Sequence, residues 1–173
     1  MTKSLPSPEL LRKLLRYEPD TGKLFWKVRP EGRPEWNARY AGKEAMTARD
    51  TGGYPYGQIY KRPHRAHRVI WAIVTGAWPK ADIDHINGDR SDNRIENLRE
   101  ATRSQNCHNS GLQARNTSGF KGVHFDKRSG RWRSKIMHCG RETHLGLYET
   151  PQEAHAAYSD AASRLHGEFS RTS

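Results

Sequence analysis

The spacing of apolar residues changes several times along this chain, and each change marks an element. Leu11, Leu14 and Leu15 fall on one helical stripe behind Ser7, a natural N-cap, and Pro8, so a helix is predicted over 7–18. Pro19 and Asp20-Thr21-Gly22 stop it and turn the chain. Lys23–Val28 reads as a strand. Two more strands are expected around 43–48 and 54–61, joined by the turn signal Asp50-Thr51-Gly52-Gly53. Residues 29–41, rich in Pro, Gly and Arg, read as a loop. Val69, Ile70, Ile73 and Val74 then predict a helix over 65–75, ended by Gly76.

Further on, 81–85 reads as a strand, 86–96 as a polar loop, 98–102 as a returning strand and 103–111 as a helix. The last third is different. Residues 120–127, 131–139 and 143–149 read as three strands, with turns at Ser129-Gly130 and Gly140-Arg141. A helix follows, with Thr150 as N-cap, Pro151 at the first position and Glu153 completing a capping box. Ala154, Ala157, Tyr158, Ala161, Ala162 and Leu165 give it one continuous apolar face, and Gly167 ends it. The expected class is α+β: N-terminal strands and a strand-strand-helix core, then a three-stranded antiparallel sheet packed on one helix. The expected domains are 1–112, with its core at about 65–112, and 118–173, joined by a linker at 113–117.

Composition narrows the partners. Thirty Lys and Arg against nineteen Asp and Glu give a net charge of +11 and a pI near 10.0. The excess is spread, +7 over residues 1–113 and +4 over 114–173. A protein so charged is expected to neutralise phosphates, which points to nucleic acid. Cys107 and Cys139 are the only cysteines and form no C-x-x-C pair, which argues against a structural zinc site or a disulfide scaffold. With no apolar run near the ~20 residues of a membrane span and no signal-peptide core, the expectation is a cytoplasmic protein without membrane contact.

The chemistry concentrates in one stretch. Asp84 and His85 are adjacent, Asn97 lies twelve positions after the histidine, and Asn106 nine further on. A carboxylate and a carboxamide offer oxygens to a hard divalent cation, and a neighbouring neutral imidazole can take a proton from water. Asp82, Asp89 and Asp92 superficially suggest a calcium loop, but the glycine and final carboxylate are out of phase for an EF-hand. His64 and His67 lack Cys or acidic partners for a metal, and Cys107-His108 is no thiol-protease pair.

The run Asp84-His85-Ile86-Asn87-Gly88-Asp89, with Ile95-Glu96-Asn97-Leu98-Arg99 and Ser104-Gln105-Asn106, resembles the HNH endonucleases, in the phage and mobile-intron subgroup whose last ligand is Asn. That resemblance implies a ββα-metal fold and a phosphodiesterase of DNA. Asp84 and Asn106 would hold one Mg²⁺ or Mn²⁺, His85 would be the general base and Asn97 would fix the loop or the histidine ring. No small-molecule cofactor is expected. A monomer or weak dimer is expected, and nicking is expected over double-strand cleavage. The alternative is a DNA-binding regulator whose core no longer cuts.

Alternation along Arg131–Ile136 sends Trp132 and Ile136 to one face of a strand and Arg131, Arg133 and Lys135 to the other. Between Lys121 and Arg141 stand seven basic residues and a single acid, Asp126. Such a face can enter the major groove of duplex DNA. Phe120–His124, Lys135-Ile136, Leu145–Tyr148 and Glu153–Ala162 resemble the DNA-binding domain of plant Apetala/ethylene-response factors, over nearly all of 118–169. The expected DNA contacts are Lys121, His124, Lys127, Arg128, Arg131, Arg133, Lys135, Arg141 and His144. At positions where the plant domain uses Arg and Trp to touch DNA, this chain has His124 and His144, so no target sequence carries over.

Overall fold

In the computed structural model, which describes residues 4–112 and 115–172, Ser7 Oγ accepts the Leu10 amide at 3.2 Å and starts α1 (Pro8–Leu14). The helix is shorter than its stripe predicts. At Leu15 the backbone turns extended and the side-chain period drops to two, with Leu15 and Tyr17 packed on the core and Arg16 pointing to solvent. This segment is β1 (Leu15–Glu18), paired antiparallel with β2 (Lys23–Trp26). A strand with a partner across a tight turn satisfies its backbone outside the helix, and here pairing overrides propensity.

The presumed loop over 29–41 contains a helix, α2 (Pro34–Tyr40). Its signals are tertiary. Trp36 meets Trp26 edge-on at 5.5 Å, the Arg29 guanidinium stacks on Trp36 at 3.6 Å, and Asn37 exchanges two hydrogen bonds with the Arg29 backbone. β3 (Glu44–Ala45) completes the sheet β1-β2-β3. β4 (Ala48–Arg49), β5 (Pro55–Ile59) and β6 (Arg62–Arg65) form a second sheet in that order, and α3 (Ala66–Thr75) ends at Gly76 with φ 80°. Val74, expected on the buried stripe, is exposed. β7 (Asp82–His85) and β8 (Leu98–Ala101) make a two-stranded sheet. One core of Leu11, Leu15, Leu24, Ile59, Val69, Ile70, Ile83 and Leu98 joins α1, β1, β2, β5, α3, β7 and β8.

The chain divides into two compact units, 1–100 and 101–173. The predicted linker, 113–117, lies partly outside the described residues. The second unit begins with α4 (Arg103–His108), whose N-terminus Thr102 and Gln105 close as a capping box. β9 (Val123–Asp126), β10 (Arg131–His138) and β11 (Arg141–Tyr148) form an antiparallel sheet with β10 central. α5 (Pro151–His166), capped by Thr150 and Glu153 as predicted, packs on it. Ala154, Tyr158, Ala161 and Ala162 are buried. Leu165 is exposed, and His166, four residues after Ala162, takes the inward position instead. The β10–β11 turn falls on Cys139-Gly140, one residue earlier than expected. Both cysteines are free and exposed, and no helix among the described residues is long and apolar enough to cross a membrane.

Candidate active site and nucleic-acid interface

β7 delivers Asp84 and His85 side by side, each only 4% exposed. Their neighbours differ, as alternate strand positions require. Asp84 Oδ2 accepts a hydrogen bond from Nε of Arg99 on β8 at 2.9 Å, and Arg99 Nη2 lies 2.9 Å from the same oxygen as an ion pair. His85 Nε2 lies 3.0 Å from Asn93 Oδ1, and its ring meets His67 edge-on at 5.1 Å and Tyr54 at 5.9 Å. Burial pushes the His85 pKa down, outweighing the Asn93 bond and the carboxylates of Asp84, Asp89 and Asp92, which pull it up. Its neighbour His67 is driven further, to about 3, chiefly by burial and then by His85. Both rings are neutral at pH 7.

The loop after β7 is held by carboxamides. Asn97 Oδ1 accepts the Asn87 amide at 3.0 Å, while Asn97 Nδ2 donates to Asn87 Oδ1 at 3.0 Å and to the Asp92 carbonyl at 2.8 Å. Asn97 therefore clamps the two ends of the loop together. The side chain bonded to the histidine Nε2 is Asn93, which sequence reasoning missed because an Asn between Asp92 and Arg94 looks like any turn residue. Asp92 receives Arg94 through two bonds of 2.8 Å, which holds its carboxyl down to about 2. From β1, the Tyr17 hydroxyl accepts the Ile95 amide at 2.9 Å and donates to the Asn93 carbonyl at 3.4 Å. Gly22, at φ 69°, lies so close that a Cβ would sit 2.5 Å from Arg94 N. The strand pair β1-β2 is thus the buttress behind the loop.

Asn106 lies on α4, its amide bonded to the Thr102 carbonyl at 2.9 Å within the second unit. Asp84 in the first unit and Asn106 in the second each carry a hard oxygen donor, a carboxylate and a carboxamide. Among the described residues there is no group of three His, Cys, Asp or Glu side chains suited to a metal ion.

In the second unit the register sets Arg131, Arg133 and Lys135 on the sheet face away from buried Ser134 and Ile136, and Trp132 half-buried on the helix side against Phe125. The basic face is not of one sign. Arg133 pairs with Asp126 at 2.5 Å, Lys135 with Glu142 at 2.7 Å and Arg131 with Glu149 at 3.0 Å. Glu142 and Glu149 come from β11 and the residue after it, so the linear count between Lys121 and Arg141 hid them. His124 lies opposite Arg133 in register and His144 opposite Lys135, while Lys127, Arg128, Arg141 and His144 are exposed. Lys121 is engaged within the unit. Its ammonium donates to the carbonyls of His108, Ser110 and Arg171 at 2.6, 2.6 and 2.9 Å, and burial takes its pKa down to about 8. It ties these segments of the second unit together, its ammonium already bonded to three carbonyls.

A family model for HNH endonucleases matches residues 64–108, the stretch from β6 through α4. The chain belongs to the HNH endonuclease family. Protein 3.8 of Escherichia phage T7 is 32% identical over 117 residues, which cover 67% of this chain and 95% of that protein. A 51-residue stretch, 30% of the chain, is 41% identical to APETALA2-like protein 2 of Oryza sativa subsp. japonica. A stretch of the same length and identity matches the AP2-like ethylene-responsive transcription factor TOE2 of Arabidopsis thaliana. These plant matches span 12% and 10% of those proteins. No solved structure matches significantly.

Proposed function

We propose that this chain is a DNA endonuclease that hydrolyses one phosphodiester bond per site with one divalent cation, nicking duplex DNA at preferred sequences. The observation that carries the reading is the His85–Asn93 contact at 3.0 Å beside Asp84. With Nε2–H donated to the Asn93 carboxamide oxygen, the basic nitrogen of the neutral ring is Nδ1, and burial keeps it unprotonated at pH 7. Nδ1 would take the proton of the attacking water. Asp84 and Asn106 would hold Mg²⁺ or Mn²⁺, which when bound supplies charge neutralisation at the scissile phosphate and its leaving oxygen. Arg99 orients the Asp84 carboxylate, and Asn97 keeps the loop closed under the histidine.

The sheet of the second unit would grip or select the DNA through Arg131, Arg133, Lys135, Lys127, Arg128, Arg141, His124 and His144. DNA phosphates would take over the first three cations from their carboxylates. This use of the sheet is supported by the AP2-like matches. Supercoiled plasmid incubated with the protein and Mg²⁺, Mn²⁺ or EDTA tests the reading. Open-circle DNA that forms only with metal is expected. Salt-sensitive binding without cleavage, on plasmid and on phage DNA alike, would favour the non-cutting regulator.

A further inference from the structure

β5 and β6 are joined by two residues, Tyr60 and Lys61, with Ile59 opposite Arg62 in register. Both carry positive φ, 50° and 63°, the pattern of a type I′ hairpin turn. That turn favours Asn-Gly, because a left-handed backbone crowds any Cβ. The corresponding turn in the second unit follows the rule, placing Gly140 beside Cys139. Here neither residue is Gly, Asn or Asp, and one is a large aromatic. Tyr60 is 64% exposed, so packing does not account for it. Strain kept at an exposed tip, with the most favourable residues absent, is a mark of side chains retained for contact with something else. The surrounding sequence says what. Between Asp50 and Asp82 the chain carries five Lys and Arg and no acid; Arg65 is paired with Asp50 at 2.7 Å, whereas Lys61 at the tip carries its charge without a carboxylate of its own among the described residues, so the partner is an anion.

We propose that the Tyr60-Lys61 tip is a second DNA-contacting element, which reaches a groove of the duplex from the nuclease unit, independent of the basic sheet in residues 101–173. A two-stranded ribbon fits the major groove. Lys61 meets phosphate, and the Tyr60 ring packs on sugar or base edges. The inference rests on DNA being the substrate. The test replaces the tip by the residues the turn prefers, Tyr60→Asn with Lys61→Gly, and measures urea unfolding and duplex binding over a salt series. Removal of strain predicts an unfolding midpoint equal to or above wild type, so failure to fold does not confuse the result. Binding is expected to weaken by about tenfold, with the salt slope reduced by about one. Lys61→Gly alone should lower the slope, and Tyr60→Asn alone should lower affinity at constant slope. Wild-type binding equalled by the double variant overturns the hairpin proposal alone. A wild-type protein that binds no duplex overturns both it and the DNA reading.

Discussion

Asn93 decides which nitrogen of His85 is basic. Its carboxamide oxygen accepts from Nε2, and the ring has no such instruction once it is gone. Asn93→Ala is expected to lower kcat by about 10²-fold, within the range for misplaced acid–base groups, with DNA affinity unchanged. Asn93→Asp places a carboxylate beside the ring and raises the histidine pKa, so the acid limb of the pH–rate profile should move to higher pH. A profile that stays put in Asn93→Asp would reduce Asn93 to a turn residue. His67 makes a stability prediction of the same kind. Its pKa is near 3 folded and about 6.5 unfolded. Above pH 6.5 both states are neutral and stability is at its full value. As pH falls below that, only the unfolded chain takes the proton, and stability drops by up to about 1.4 kcal/mol per pH unit until the folded pKa is reached. His85 is shifted in the same direction. His67→Leu should therefore shrink, without abolishing, the fall in urea midpoint between pH 7 and pH 4.5.

Two elements owe their importance to contacts that no local pattern reveals. Gly22→Ala would force a Cβ at positive φ to 2.5 Å from Arg94 N. It should destabilise the first unit and, by shifting the Asn93 loop, reduce cleavage more than DNA binding. Lys121→Met would strand three carbonyls that now accept its ammonium. A loss of about 2 kcal/mol in the second unit is expected, visible as a lower unfolding midpoint. Lys127→Ala should instead weaken DNA binding at constant stability. The sequence alone disclosed the elements whose signals are local. Ser7, Gly76 and Thr150-Pro151-Glu153 mark real helix ends, and the period along 131–136 sets the correct face. Spacing singled out Asp84 and His85, which the fold places adjacent on β7, and Asn97, which bonds Asn87 and Asp92 across the following loop. The sequence could not disclose β1, whose leucines also satisfy a helix until β2 pairs with them. Nor could it disclose α2, which exists because Trp26 and Arg29 receive Trp36. The carboxylates opposing Arg131 and Lys135 are remote in sequence and neighbours only in the sheet.

For the whole molecule, a charge of +11 spread over both units implies binding that is strong at low salt and sensitive to it. Affinity for duplex should fall by at least about tenfold between 50 and 200 mM salt if several phosphates are contacted. Binding and cutting are nevertheless distinct properties here. Charge lies on many residues, whereas proton removal is assigned to one buried ring. The most direct measurement is His85→Ala against wild type on one supercoiled plasmid with Mg²⁺, scoring strand cleavage and equilibrium binding in parallel. The account predicts cleavage reduced by at least about 10²-fold with binding within about twofold of wild type, since the ring is buried and carries no charge to attract a phosphate. A variant that cuts like wild type, or that loses binding and cleavage to the same degree, would contradict the role of His85.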